Sequence, residues 1–308
     1  LGVGRLRYGI MCREDGFIYD DGVVGRIAED RFHVTTTTGG APRVLHHMED
    51  YLQTEFPDMD VFLTSTSEQW AVMALQGPKA AEVLAPFVDG MDLSVEAFPF
   101  MSVREGTFAG VQMRLFRMSF AGEDGFEINV PADHGKAAWD MLHAKVAEAG
   151  GCPYGTETMH VLRAEKGYII VGQDTDGTVT PHDAGLSWAV GKNKDDFVGI
   201  RGLARPDLVA DGRRQLVGLR SKDGRTVLEE GAQIVADPDE TPPMTMIGWV
   251  SSSYWSANCG EPIAMALIED GFGRIGQTLH VPMADGVIEV EVRDTGFWNP
   301  AREGDADG

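Results

Sequence analysis

The stretch Leu162–Trp188, LRAEKGYIIVGQDTDGTVTPHDAGLSW, places the end of a helix, a turn, two polar loops and an aromatic side chain within 27 residues. A protein core does not need polar groups at this density, because a buried polar group costs free energy unless it is hydrogen-bonded. A site for a flat, polar ligand does need them. The segment therefore indicates a ligand site that follows directly on a helix.

The composition of the chain limits the classes of function. Its 308 residues, 43% of them hydrophobic, suffice for two or three packed units. The net charge of −22 repels nucleic acid and anionic membranes, so we expect neither as a partner. No apolar run reaches the ~18 residues of a membrane span, and no signal peptide is visible. The three cysteines form no C-x-x-C pair, which argues against disulfides and zinc and predicts a cytoplasmic protein.

Residues 1–210 read as an α+β domain. Two strands, Arg7–Met11 and Phe17–Val24, flank a turn with an Asp-Gly pair, which is a strong hairpin signal. The apolar residues within Ala41–Phe56 recur every three or four positions, as on one face of a helix. Asp60–Thr64 is read as a further strand. Hairpins, strands and helices alternate in this way along the segment, which is typical of an α+β fold.

Residues 211–308 have a different character. Short strand-like runs follow one another here, separated by Gly, Pro and Asp turns, as in an all-β barrel or sandwich. We place the boundary between the two domains near Asp211. We expect the small, acidic tail Glu303–Gly308 to be frayed.

Two common types of site are excluded. The chain contains neither G-x-G-x-x-G nor a P-loop, so we expect no dinucleotide or nucleotide to bind to it. The sequence from Asp174 to Gly177 resembles the start of a calcium loop, but Gly185 occupies the position where such a loop needs a bidentate Glu. We therefore expect no metal site.

Three acids are candidates for chemistry. Asp20 and Asp21 end a strand, and neighbouring residues of a strand face opposite sides, so one of the pair faces an interior or a cavity. Both could instead be ordinary acids of a strand-end turn. Glu127 enters a strand from the glycine-punctuated loop Phe120–Gly125, and a carboxylate there can accept an N–H and an amino group side by side. The alternative for Glu127 is a surface acid on a strand edge.

Further candidates are weaker when taken singly. Arg163 lies near a helix end beside Glu165, where the two could also form a surface pair. Tyr8, Phe120 and Trp188 could supply a wall on which a flat ligand stacks, although each could equally be a core residue. The co-occurrence of these signals in one chain is what makes a ligand site the better interpretation.

The chain resembles the folate-binding region shared by glycine-cleavage aminomethyltransferases and by the flavin amine oxidases that pass one carbon to folate. Matching segments lie in the same order across nearly the whole chain. They are DGFIYDD at Asp15–Asp21, ALQGP at Ala74–Pro78, GEDGFE at Gly122–Glu127, LRAEKG at Leu162–Gly167 and FVGIR at Phe197–Arg201.

One branch of this superfamily fits better. TTTTG at Thr35–Gly39, Pro153–Gly167 and Val171–Pro181 closely resemble the C-terminal half of the alpha subunits of heterotetrameric sarcosine oxidases. Thr37 stands where aminomethyltransferases usually carry Asn, and Phe120 where they usually carry Tyr. Both departures favour the oxidase branch.

The resemblance implies an α+β fold of ferredoxin-like hairpin-helix units, the aminomethyltransferase folate-binding fold, followed by an all-β barrel-like domain. It implies that the chain combines tetrahydrofolate with the imine made from sarcosine, giving 5,10-methylenetetrahydrofolate and glycine. Asp20 is then the catalytic carboxylate, and Glu127 grips the edge of the pterin. The ligand-binding residues that the resemblance implies, besides Glu127, are Tyr8, Thr37, Phe120, Arg163 and Trp188.

The resemblance also implies partners. Flavin and NAD are expected on other parts of the complex, which would include a flavin-bearing beta subunit and small subunits. The alternatives are a free-standing aminomethyltransferase and a non-catalytic folate-binding module. The chain starts at Leu1, without Met, in what reads as mid-domain sequence, so we expect it to be N-terminally truncated.

Overall fold

The computed structural model describes residues 1–299, so the acidic tail Glu303–Gly308 lies outside them. The chain groups into two compact units, and the division falls inside the first hairpin. Unit 1 contains residues 1–9 and 20–154, and unit 2 contains residues 10–19 and those from 155 onward. The domain boundary near Asp211 stays a prediction. In the part of the chain that the structure covers, no helix is long and apolar enough to cross a membrane.

Unit 1 contains a four-stranded antiparallel sheet with the strand order β4-β7-β6-β5. Successive side chains of a strand point to opposite faces, and one face of this sheet carries the largest hydrophobic core of the unit, which includes Leu115, Phe126 and Ile128. Helices α2 and α3 contact the sheet. The elements are β4 (Trp70–Gln76), α2 (Ala80–Leu84), β5 (Ser102–Phe108), β6 (Val111–Arg117), β7 (Gly125–Pro131) and α3 (Gly135–Glu148).

A three-stranded sheet comes from the first part of the chain. Its strands are β1 (Leu6–Cys12), β2 (Ile18–Arg26) and β3 (Phe32–Val34), and helix α1 (Ala41–Thr54) follows. The predicted hairpin and the predicted helix both form. The predicted strand at Asp60–Thr64 is wrong, because residues 59–66 form no regular element and Phe62 is 90% exposed.

Unit 2 contains a closed six-stranded barrel with the strand order β10-β11-β8-β13-β12-β9. This confirms the predicted barrel-like domain and decides between barrel and sandwich. Side chains that point inward, among them Val217, Ile234 and Val281, form its core. The elements of unit 2 are α4 (Thr156–Glu165), α5 (Ile200–Leu203), β8 (Arg214–Ser221), β9 (Gln233–Val235), β10 (Met246–Ser256), β11 (Glu261–Glu269), β12 (Thr278–Met283) and β13 (Gly286–Arg293).

Candidate functional site

Glu127 lies on the face of the four-stranded sheet opposite its main hydrophobic core. It follows Phe126 and precedes Ile128, both of which are fully buried in the core on the opposite face. In the ladder, Glu127 pairs with Ala74 of β4 on one side and with Phe116 of β6 on the other. Two neighbouring strands and two core side chains therefore fix the position of its backbone.

The Glu127 carboxyl group has no hydrogen-bond donor among the described residues. Burial raises its pKa from 4.5 to about 7, because the charged form loses solvation. The pKa of Tyr154 is raised in turn, first by burial and then by the negative charge of Glu127. An enclosed carboxyl group without a donor is suited to a ligand that brings its own donors.

Two polar atoms in segments next to β7, at the end of β4 and in the loop after β6, also lack a partner. Within residues 1–299, Gln76 Oε1 and Ser119 Oγ are buried and make no hydrogen bond. Gln76 pairs with Gly125, so its side chain lies on the same face of the sheet as Glu127. Most buried polar groups are paired in native proteins, so an unpaired buried oxygen is an exception that a bound ligand would explain. The Gln76 oxygen and the Glu127 carboxyl group, on one face of the sheet, fit a ligand with several N–H groups along one edge.

The loop before Glu127 carries Phe120. Its side chain is 37% exposed, whereas the following Ala121 is buried, so the loop presents the ring outward. Phe120 and Glu127 thus come from the same turn of the four-stranded sheet. Neither Gln76 nor Ser119 was singled out from the sequence. Gln76 lies within the ALQGP motif, and Ser119 lies three residues before the GEDG motif, so these motifs were the available signals.

Asp20 is fully buried, and atoms of the chain itself surround its carboxylate. Oδ1 accepts hydrogen bonds from the backbone N–H groups of Asp21, at 2.8 Å, and Thr37, at 3.0 Å. Oδ2 accepts the Thr37 hydroxyl, at 3.0 Å, and lies 3.5 Å from Nη2 of Arg43. A Cβ atom at Gly40 would lie 1.8 Å from Oδ2, so only glycine fits where α1 begins.

Asp21 differs from its neighbour. It is half-buried, and its Oδ2 accepts a 2.7 Å hydrogen bond from the Tyr8 hydroxyl. Loss of solvation raises the pKa of Asp21; the Tyr8 hydrogen bond lowers it, and the charge of Asp20 raises it further. The pKa of Tyr8 is also raised, chiefly by burial. Of the two acids, Asp21 is the one with a carboxyl group that retains access to solvent.

Arg163 and Trp188 belong to unit 2, while the other candidates belong to unit 1. Arg163 is fully buried on α4, which rules out the surface pair with Glu165. Its Nη1 donates to Oδ2 of Asp174, at 2.5 Å, and its Nη2 donates to the Ser252 hydroxyl, at 2.7 Å. Trp188 is 66% exposed. Within unit 2, the guanidinium group of Arg163 therefore holds a loop and a barrel strand.

Within unit 1, the structure brings Tyr8 and Thr37 to the acid pair at Asp20 and Asp21. Sequence reasoning linked Thr37 to the ligand and gave no sign that it binds Asp20. The glycine pair after Thr37 was the available signal for a close approach, because glycine tolerates contacts that a Cβ atom forbids.

Comparison with known proteins agrees with this fold. Residues 1–194 match the GCVT N-terminal domain, and residues 214–299 match the glycine cleavage T-protein C-terminal barrel domain. The chain is 49% identical, over 97% of its length, to a sarcosine oxidase subunit alpha from Corynebacterium sp. (strain P-1), but it spans only 31% of that protein.

The similarity to aminomethyltransferases covers a larger share of the related protein's length. An aminomethyltransferase from Herpetosiphon aurantiacus is 33% identical over 96% of the chain and 77% of its own length. The crystal structure of glycine cleavage system aminomethyltransferase T from Bartonella henselae superposes with a TM-score of 0.81, at 26% identity, over 97% of this chain and 77% of that one. The chain therefore belongs to the glycine cleavage T-protein family.

Proposed function

We propose that the chain binds tetrahydrofolate and uses it to capture the imine that an oxidase makes from sarcosine. The observation that carries the proposal is Glu127, an enclosed carboxyl group with a raised pKa and no donor among the described residues, on the same face of the sheet as the unpartnered Gln76 Oε1. The pterin ring offers an N–H and an amino group on one edge, which a carboxylate accepts together. Similarity to sarcosine oxidase alpha subunits supports the choice of imine.

The reaction exchanges the two carbon–nitrogen bonds of the imine for two new ones. With tetrahydrofolate bound, its N5 and N10 would each form a bond to the imine carbon, while both bonds between that carbon and the glycine nitrogen break. The two protons that the folate nitrogens lose go to the glycine nitrogen and complete its amino group. The task of the protein is to align the reactants and to carry a proton from a folate nitrogen to the glycine nitrogen.

We assign different roles to the two acids. Asp20 was predicted as the catalytic carboxylate, but four groups of the chain surround it, and this geometry favours an anchoring role. Asp21 has the raised pKa and the access to solvent that a proton carrier needs. In the proposal Asp21 exchanges the proton, Tyr8 orients it, and Asp20 with Thr37 fixes the strand end.

The remaining assignments follow from the same proposal. Phe120 and Trp188 are stacking residues for the rings of folate, and Arg163 acts through the loop that it holds. A flavin-bearing beta subunit and small subunits would complete the oxidase, with flavin and NAD outside this segment and the complex in the cytoplasm.

Calorimetric titration with 5-formyltetrahydrofolate, a stable reduced folate, tests the binding step. We expect Glu127→Gln to weaken binding at least tenfold at pH 8, while Asp133→Asn, at a side chain that is 80% exposed, leaves it unchanged. Protonation of Glu127 below its pKa should make wild-type binding about tenfold weaker at pH 6 than at pH 8. Failure of the folded wild-type protein to bind would refute the proposal.

The reaction itself is tested in the assembled oxidase. With sarcosine and tetrahydrofolate, we expect wild type to give 5,10-methylenetetrahydrofolate and Asp21→Asn to release formaldehyde instead, at an unchanged rate of sarcosine oxidation. Asp20→Asn should lower the folate-dependent step less than Asp21→Asn does. A larger loss with Asp20→Asn would return the catalytic role to Asp20. Transfer from an aminomethyl-lipoyl carrier, without any effect on sarcosine oxidation, would favour the aminomethyltransferase alternative.

A further inference from the structure

Arg117 is the most completely hydrogen-bonded charged side chain near the Glu127 loop. It ends β6, and its side chain is only 3% exposed. Nε and Nη2 donate to the two carboxylate oxygens of Asp124, at 3.1 and 2.8 Å, in a bidentate pair. Nη1 donates to the carbonyl oxygens of Leu93 and Phe98, both at 3.0 Å. This one side chain therefore joins the loop to a second segment of unit 1.

The loop from Met118 to Asp124 needs such a support. It forms neither helix nor strand, so no ladder of backbone hydrogen bonds fixes it. At its far end, the carbonyl oxygen of Asp124 accepts a 2.7 Å hydrogen bond from the backbone N–H of Gly77. Asp124 is thus held through its side chain by Arg117 and through its backbone by the turn after β4.

The next residues transmit this position to Glu127. A Cβ atom at Gly125 would lie 2.3 Å from the carbonyl oxygen of Leu75, so the backbone of β7 starts in close contact with β4. The ring of Phe126 lies under the Arg117 guanidinium, with 5.2 Å between Cζ and the ring centre. Glu127 follows directly.

We propose that Arg117 and Asp124 form a positioning clamp that fixes the start of β7 and thereby sets both the direction and the enclosure of the Glu127 carboxyl group. Burial of a charged arginine costs free energy, and a bidentate carboxylate gives directional hydrogen bonds that a nonpolar side chain could not. Neither residue touches the ligand in this proposal, which rests on the proposed role of Glu127 in binding the pterin.

The clamp predicts a coupled change in two measurements. Without it the loop relaxes and water reaches Glu127, so the pKa of that carboxyl group falls from about 7 towards its ordinary value. The direction of the carboxylate is lost at the same time. A residue that only adds stability would lower the resistance to urea without moving the titration of Glu127 in the folded protein.

The experiment follows Glu127 by ¹³C-carboxyl NMR from pH 4 to 9 and measures binding of 5-formyltetrahydrofolate at pH 8.5. We expect Arg117→Met to move the Glu127 midpoint down by about one pH unit or more and to weaken binding at least tenfold. Arg117→Lys, which keeps the charge and loses the fork, should behave like Arg117→Met. Asp124→Asn should give a smaller change in the same direction, and the double variant should add little to Arg117→Met.

Arg104→Met is the matched control. Arg104 donates to the carbonyl oxygen of Ala97 and lies over the ring of Phe98, in the segment that Arg117 also contacts, but it makes no hydrogen bond, ion pair or ring contact with residues 118–125. It should lower the urea midpoint and leave the Glu127 titration unchanged. If Arg117→Met does not fold, Asp124→Asn decides the question, because that side chain is 54% exposed and the substitution should be tolerated.

An unchanged Glu127 midpoint in folded Arg117→Met or Asp124→Asn, or an equal shift in Arg104→Met, would overturn the clamp. The NMR titration needs no folate, so it judges the clamp even when binding is absent. If wild type does not bind the folate but the Arg117 and Asp124 variants still shift the Glu127 titration, the proposed function is refuted and the clamp stands.

Discussion

Glu127 in unit 1 and Glu165 in unit 2 are both enclosed glutamates, but they differ in the hydrogen bonds that their carboxyl groups accept. Glu165 is 1% exposed, and both carboxylate oxygens are occupied: Oε1 accepts the Ser256 hydroxyl at 2.6 Å, and Oε2 accepts the Asn258 amide at 2.8 Å. Glu127 accepts no hydrogen bond from the described residues, and its pKa is raised to about 7. Complete pairing is typical of a group that holds the fold together, whereas missing donors are typical of a group that awaits a ligand.

The two buried arginines differ in the kind of segment that they hold. Arg163 pairs with Asp174 inside unit 2, and the hydroxyls of Ser251 and Ser252 donate to the other oxygen of Asp174. Arg117 also pairs with an acid, but its partner Asp124 sits in an irregular loop, half-exposed. The buried network of Arg163 stabilises the packing of a helix against a barrel strand. The clamp of Arg117 and Asp124 fixes the position of a loop.

The largest effect should come from Arg163→Met. Removal of the cation leaves Asp174 buried without its charge partner, and breaking a buried pair in this way costs about 3–5 kcal/mol. Urea unfolding at pH 7 measures the loss. Arg201→Met, at a side chain that is 89% exposed, is the control and should change the free energy of unfolding by less than ~1 kcal/mol. Equal effects of Arg163→Met and Arg201→Met would show that the buried pair of Arg163 and Asp174 does not stabilise the fold.

Glu127→Gln should change stability in the opposite direction. Because the pKa of Glu127 is about 7 in the folded protein and 4.5 unfolded, its stabilising contribution is complete below pH 4.5 and disappears as pH rises through 7. A neutral amide avoids that loss. At pH 8 we expect a gain of up to ~3 kcal/mol, from a shift of about 2.5 pKa units at 1.36 kcal/mol each.

The pH dependence is the internal control for Glu127→Gln. The gain should shrink towards zero as the pH falls below 4.5, where wild-type Glu127 is protonated in both states. A stabilisation that is the same at pH 4.5 and pH 8, or a destabilisation at pH 8, would show that Glu127 has donors in the folded protein.

Local patterns in the sequence predicted much of the fold. The first hairpin, helix α1 and the barrel strands rest on turn residues and periodicities that lie within a few positions of one another. Asp60–Thr64 has equally strand-like residues but forms no strand, because a strand also requires the backbone of a neighbour. The apolar pattern does not specify that neighbour.

Motifs in the sequence singled out candidate site residues, but not which of their side chains are paired in the folded chain. GEDGFE indicated Glu127, but its missing donors depend on which groups surround it, such as Gln76, which lies 51 positions away in the chain. Arg163 and Glu165 were left open between site and surface. Their partners Ser252 and Ser256 lie 89 and 91 positions away, so only the folded chain shows both acid and base to be buried and paired.

Glu165→Gln sharpens the comparison of the two glutamates. The amide keeps one acceptor oxygen and replaces the other with a donor, so either the Ser256 hydroxyl or the Asn258 amide loses its acceptor. An unsatisfied buried group costs about 1–3 kcal/mol, and we expect a loss in the lower half of that range in urea unfolding at pH 8. The two Glu→Gln substitutions should thus have opposite signs under the same conditions; equal signs would contradict the assignment of one to structure and the other to the ligand.

The smallest effect should come from Tyr8→Phe, which removes the hydrogen bond to Asp21 and leaves the ring in place. This hydrogen bond lowers the pKa of Asp21, so its loss should raise that pKa further above the ordinary value. Folding stability should fall by about 1 kcal/mol at pH values above the pKa of Asp21 and by less below it, because hydrogen bonds to charged groups are the stronger ones. Carboxyl NMR of Asp21 checks the shift. An Asp21 midpoint that does not move would mean that Tyr8 only packs against the acid, and the proposed proton carrier would lose its orienting partner.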